Sequence, residues 1–159
     1  MHVVLFEPEI PPNTGNVARL CAAMRMELHL VEPLGFSLED RYLKRAGLDY
    51  WPYVTVQVWP SFDAYLQGPG QTKRLVASSS KGGEALHRFT FSANDALILG
   101  PETRGLPAAV LNTTPHRVRI PIANTVRSLN LSTAAGILLV TAMAQTGLLD
   151  DAALFPEQP

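Results

Sequence analysis

The chain has 159 residues, 47% of them hydrophobic and 17% charged, with a formal net charge of −1; these values predict one globular domain with a real core and exclude a disordered polyelectrolyte. A pI near 6.4 leaves no global electrostatic footprint, so a nucleic-acid partner would need a local cationic patch. The single cysteine, Cys21, excludes an internal disulfide and points to a reducing cytoplasm, and His2, His29, His87 and His116 are too scattered for metal-ligand spacing, so no metal is expected.

HVVLF (2–6) predicts a strand and lacks the basic start and length of a signal peptide. A helix over 16–26 follows, where Asn13 or Asn16 can serve as cap and Gly15 allows a tight entry. Val17, Leu20, Cys21 and Met24 recur on it at core spacing. That places Arg19 on the opposite face beside Asn16, Ala22 and Ala23, small neighbours that let a second helix or a ligand come close. ELHLVE (27–32) predicts the next strand, and SLEDRYLKRAG (37–47) a helix with Arg41, Lys44 and Arg45 on one basic face. VTVQVW (54–59), RLVAS (74–78), ALILG (96–100) and RVRIPI (117–122) predict further strands. SFDAYLQ (61–67) and LPAAVLNT (106–113) predict helices, and a last long helix covers about 129–148. DDAALFPEQP reads as a tail, giving one domain over 1–150 and a tail over 151–159. Trp51, Trp59 and the histidines form no constellation in the sequence and read as structural or surface residues. Strands alternating with helices predict a parallel sheet covered on both faces, an α/β fold.

In such sheets ligands bind beyond the carboxyl ends of the strands. Three of the loops there are unusual: EPEIPPNTGN, GPETRGLP and ANTVRSLN. The second packs two prolines, two glycines, Glu102 and Arg104 into a short span, more than a turn requires. It reads either as a rigid turn with a surface Glu102–Arg104 pair or as a loop whose backbone must face a ligand in fixed geometry. Neither standard phosphate-binding signature is present.

No charged residue occurs from Ser128 to Leu149, yet Asn130, Ser132, Thr133, Thr141, Gln145 and Thr146 interrupt the apolar run. This argues against a membrane span. A helix with no charged face is normally buried all round, so its outer face is expected against a second subunit, with Ala22 and Ala135 in the contact. Ser128, Asn130 and Ser132 crowd its start, where one can cap and together they suggest a polar pocket floor.

The three loops in this order resemble the signature motifs of the SPOUT RNA methyltransferases: NTGNVAR (13–19), LGPETRGLP (99–107) and RIPIANTVRSLNLSTAAGILL (119–139). EPLGFSLEDRYLKRAGLDYW (32–51) further resembles the minimal tRNA 2′-O-methyltransferases that modify cytidine or uridine 34. The resemblance implies a C-terminal deep trefoil knot, S-adenosylmethionine bent inside it, S-adenosylhomocysteine as product and a homodimer whose site uses both chains. It also implies a tRNA anticodon stem-loop as substrate, with leucine isoacceptors expected. By position, Asn13, Arg19, Glu102 and Asn130 match the catalytic set. Ser78, Gly100, Ile120, Ser128 and Leu129 match the cofactor contacts, with Gly100 letting the cofactor approach. Arg41, Lys44, Arg45 and Arg127 are the candidate RNA contacts. The chain departs from the pattern at Val140, where close relatives often carry tyrosine.

Overall fold

The computed structural model describes residues 1–38 and 50–156. Seven parallel strands form one sheet in the order β3-β2-β1-β6-β4-β7-β5. They are β1 (His2–Phe6), β2 (Glu27–Val31), β3 (Val56–Trp59), β4 (Arg74–Ser78), β5 (Glu84–Ala85), β6 (Asp95–Leu99) and β7 (His116–Arg119). The helices are α1 (Pro11–Ala23), α2 (Phe62–Gln67), α3 (Ala108–Thr113) and α4 (Leu131–Gln145). The sheet grows outward from β1 to β3, then resumes at β4 on the far side of β6. This reversal gathers the carboxyl ends of β4, β6 and β7 beside that of β1.

Strand alternation sorts the core into two layers. Val3, Leu5, Leu97 and Leu99 face α1 and α4 with Val17, Cys21, Leu138 and Leu139, whereas Val4, Phe6, Ala96 and Ile98 face Phe62, Tyr65 and Val110. Strands β1 and β6 are buried along their whole length, as a parallel sheet covered on both faces requires. Cys21 lies wholly within the first layer, and burial pushes its thiol up to about 12.

Several boundaries differ from the sequence expectation. Helix α1 begins at Pro11 and not near Asn16, and neither asparagine caps it; the cap position is Ile10, with no side-chain cap bond. Pro11 and Pro12 supply the helical φ in advance and have no N–H to satisfy. The last helix is shorter than 129–148, with Asn130 as its cap. Gly147, at φ 72°, lies beyond its C-cap, Thr146. The two-residue strand β5 was not expected. Of the expected 37–47 helix, residues 39–47 lie outside the described residues, and with them Arg41, Lys44 and Arg45. Leu154 and Phe155, read above as part of a tail, pack against the first layer, and Arg25 donates to the Ala153 carbonyl at 3.1 Å.

Ala135 is 1% exposed and belongs to the protein's own core, so it is not an interface residue. The outer face of α4 instead presents Ile137 (37% exposed) and Val140 (39%), an apolar and uncharged strip. No helix among the described residues is long and apolar enough to cross a membrane.

Candidate active site

The loops after β4, β6 and β7, joined by the start of α1, wall a cavity of about 810 Å³. Ser78, Gly100, Ile120, Ser128 and Leu129 all line it, as do Asn13, Glu102, Asn130 and Arg127. Nine residues named from the sequence therefore meet in one place. Arg19 does not line the cavity; it stands on the exposed face of α1.

The three loops are tied together by one chain of hydrogen bonds. Glu102 accepts from the backbone N–H of Glu9 at 2.9 Å, from that of Ile10 at 3.2 Å and from Asn13 Nδ2 at 3.1 Å. Its carboxylate thus sits at the amino end of α1, where unsatisfied donors and the helix dipole favour a negative charge. Asn13, only 7% exposed, passes the connection on by accepting from Asn130 Nδ2 at 2.9 Å. Asn130 in turn caps α4, accepting from Ser132 N at 2.9 Å and Thr133 N at 3.4 Å.

A second clasp runs beside this one. Glu9 accepts from the Thr103 amide at 3.0 Å and hydroxyl at 2.9 Å, and these bonds hold its carboxyl below the usual range. Arg104 pairs with Glu7 and, at 3.8 Å, with Glu9. The surface Glu102–Arg104 pair considered from the sequence is not formed, because each residue is committed to the loop after β1.

The need for glycine at 100 also has a local cause. A Cβ there would lie 2.4 Å from the Leu106 nitrogen and 2.6 Å from the Gly105 carbonyl carbon. The loop folds back on itself, with Gly105 at φ 70° donating to the Pro101 carbonyl at 2.9 Å. The sequence expectation attributed this glycine to cofactor approach; the loop's own backbone already requires it.

Sequence reasoning missed the loop after β4. Ser79, Ser80 and Lys81 line the cavity with Ser78, and the exposed Lys81 joins Arg127 at the rim. The serine and glycine cluster SSSKGG at a strand's carboxyl end was the available signal.

A separate polar cluster lies on the α2 side of the sheet. His2 Nε2 is 2.7 Å from the Tyr65 hydroxyl, and Trp59 Nε1 donates to His29 Nδ1 at 3.0 Å. The reading of these histidines and Trp59 as lacking any constellation is thereby corrected. One ligand atom from each of His2, Glu27 and His29 lies within 4.8 Å of the others. Because the indole N–H can only donate, a neutral His29 keeps its proton on Nε2 and has no lone pair there for a metal. Burial, with His29 and Lys73 nearby, pushes His2 down to about 3, and burial also lowers His29 against the pull of Glu27.

Residues 1–140 match the family model described as the SpoU rRNA methylase family. The chain belongs to that family. It is similar to a protein of Methylovorus glucosotrophus named tRNA (cytidine(34)-2′-O)-methyltransferase, with 49% identity over 90% of this chain and 94% of the relative. A solved structure reported for the 2-OH methylation of C/U34 on tRNA shares 46% identity at a TM-score of 0.86, covering 91% of this chain and 94% of that one. The SpoU methyltransferase AviRb of Streptomyces viridochromogenes, solved with AdoMet, shares the fold at a TM-score of 0.83 and 24% identity, over 91% of this chain and 57% of its own. The parallel sheet flanked by helices is thus the fold of a methyltransferase family, and the chain is an enzyme of that family.

Proposed function

We propose that this protein transfers a methyl group from S-adenosylmethionine to the ribose 2′-oxygen of cytidine or uridine 34 in tRNA, with leucine isoacceptors as substrates. The observation that carries the reading is the single cavity shared by Ser78, Gly100, Ile120, Ser128 and Leu129. Its volume falls in the range of about 300–1,000 Å³ typical of small-molecule sites. Leu99, Ile120, Ile122 and Leu129 supply apolar wall for a base, while the serines and Asn130 supply polar contacts. On this reading the loops after β4, β6 and β7 form the C-terminal deep trefoil knot, the anticodon stem-loop meets the rim at Lys81 and Arg127, and the protein works in the cytoplasm.

When bound, S-adenosylmethionine supplies a methyl group already activated by the sulfonium charge, so no metal is called for. The chain's own task is alignment and removal of the hydroxyl proton. Glu102 and Asn13 align the first loop against the second, and Asn130 carries that alignment to the third. Taking a proton from a guanidinium near neutral pH would cost about 8 kcal/mol. Arg19 is therefore assigned to a phosphate and the developing alkoxide, with the proton leaving to RNA phosphate or water.

Arg19 stands outside the cavity of its own chain, which favours a homodimer in which it serves the partner's site. The apolar strip of Ile137 and Val140 on α4 suits such a contact. Ile137→Glu is expected to give a folded monomer by sedimentation; an unchanged dimer would reject this contact. In single-turnover methylation of an anticodon stem-loop from pH 6 to 10, Arg19→Ala is expected to lose about 100-fold or more, with cofactor affinity nearly unchanged. Near wild-type turnover, or loss of cofactor binding, would reject the assigned role. Mass mapping of 2′-O-methyl groups in tRNA from a deletion strain identifies the substrate.

A further inference from the structure

Arg104 and Arg19 are held in different ways. Arg104 is held by the carboxylates of Glu7 and Glu9. Arg19 has no ion-pair partner among the described residues, and its guanidinium carbon lies 4.4 Å from the centroid of the Tyr50 ring. Tyr50 is half-buried and opens a turn in which its carbonyl accepts from the Tyr53 amide at 2.8 Å. The short 3-10 helix of that turn, Trp51–Tyr53, packs against α1.

We propose that Tyr50 is a positioning residue for Arg19, carrying the guanidinium on its ring face so that the in-plane N–H donors stay free for an oxyanion of the RNA. The inference rests on the reading above that Arg19 acts on the substrate. A carboxylate in the place of Tyr50 would occupy the same fork of donors that a phosphate needs and would cancel its charge. An aromatic face attracts the cation through its quadrupole and leaves both the charge and the donors available. It also restricts a long side chain that would otherwise lose rotamer freedom on binding, so the ring lowers the entropic cost of engaging RNA.

The test is single-turnover methylation of an anticodon stem-loop by the full-length protein, with cofactor affinity measured beside it. Tyr50→Phe is expected to stay within about twofold of wild type, and Tyr50→Leu to slow methyl transfer by about fivefold to tenfold, with cofactor affinity unchanged. Arg19→Ala combined with Tyr50→Leu is expected to be no slower than Arg19→Ala alone, since a residue acting through Arg19 has nothing left to position. Pentafluorophenylalanine at position 50 keeps the ring's shape and reverses its quadrupole, and is expected to slow the reaction as Tyr50→Leu does. It decides the question even where Tyr50→Leu fails to fold. Independent losses in the double variant, or full activity with the fluorinated ring, would overturn the inference while leaving the proposed reaction standing. A wild-type protein that methylates no tRNA would overturn the proposed reaction, and this inference with it.

Discussion

On the α2 side of the sheet, His2, His29, Trp59 and Tyr65 meet in a packed cluster; beyond the carboxyl ends of the strands, Glu102, Asn13 and Asn130 meet around an open cavity. Both places hold polar side chains drawn from distant parts of the chain. In the first, ring packs on ring, with His2 and His29 centroids 4.2 Å apart, and desolvation keeps the imidazoles neutral. In the second, the Glu102 carboxylate accepts from the backbone N–H groups of Glu9 and Ile10. The contrast shows how one sheet can hold one polar cluster as core and another as binding site. The core cluster pairs its polar atoms mostly with one another, whereas the site cluster uses them to fix the loops that wall the cavity.

The largest effect is expected from breaking the carboxyl-end cluster. Glu102→Ala leaves two backbone donors and the Asn13 amide without their acceptor. It should lower stability by about 2–3 kcal/mol in urea titration and abolish measurable cofactor binding. Stability and binding both unchanged would mean that the hydrogen-bonded chain does not hold the loops.

The aromatic cluster is expected to fail with acid. A folded-state pKa of about 3 for His2 lies below the ordinary imidazole value of about 6.5, so the unfolded chain takes up a proton that the folded one refuses. The resulting stability is present above pH 6.5 and declines as pH falls toward 3. His2 alone should account for about 1.4 kcal/mol of the stability lost between pH 7.5 and 5.5, and His2→Gln should flatten that part of the profile. An equally steep profile in the variant would assign the acid sensitivity elsewhere.

A smaller change sharpens the comparison from the cavity side. Gly100→Ala forces the backbone of Gly105 and Leu106 to shift, which should weaken S-adenosylmethionine binding about tenfold in calorimetry, a loss of about 1.4 kcal/mol. The urea midpoint should fall by less than in Glu102→Ala. A larger stability loss than Glu102→Ala, with affinity intact, would show that the glycine serves folding alone.

Much of this was legible in the residues themselves. Alternation and helical spacing are short-range properties, and Val3 and Leu5 against Val4 and Phe6 divide between two layers because successive side chains on a strand point to opposite faces. The order of three motif-bearing loops also pointed to the family, since each motif lies within a single run of sequence. Helix boundaries were less legible: at α1, prolines and a carboxylate from another loop replaced the side-chain cap that Asn13 or Asn16 could have supplied.

Partnership between distant residues was decided only by the tertiary structure. Glu102 and Glu9 are 93 residues apart, and Asn13 and Asn130 are 117 apart; no local pattern encodes those pairs, because the order of strands in the sheet brings them together. The same holds for Ala135, which helical spacing could not assign to core or interface until α4 was packed on the sheet. Tyr50 beneath Arg19 is a third case, since the position of a ring relative to a guanidinium depends on how a turn docks against a helix. Sequence alone determined which residues the loops carry and the period of each element. Which of those residues touch was left to the parallel crossovers, whose long-range geometry no short window of sequence contains.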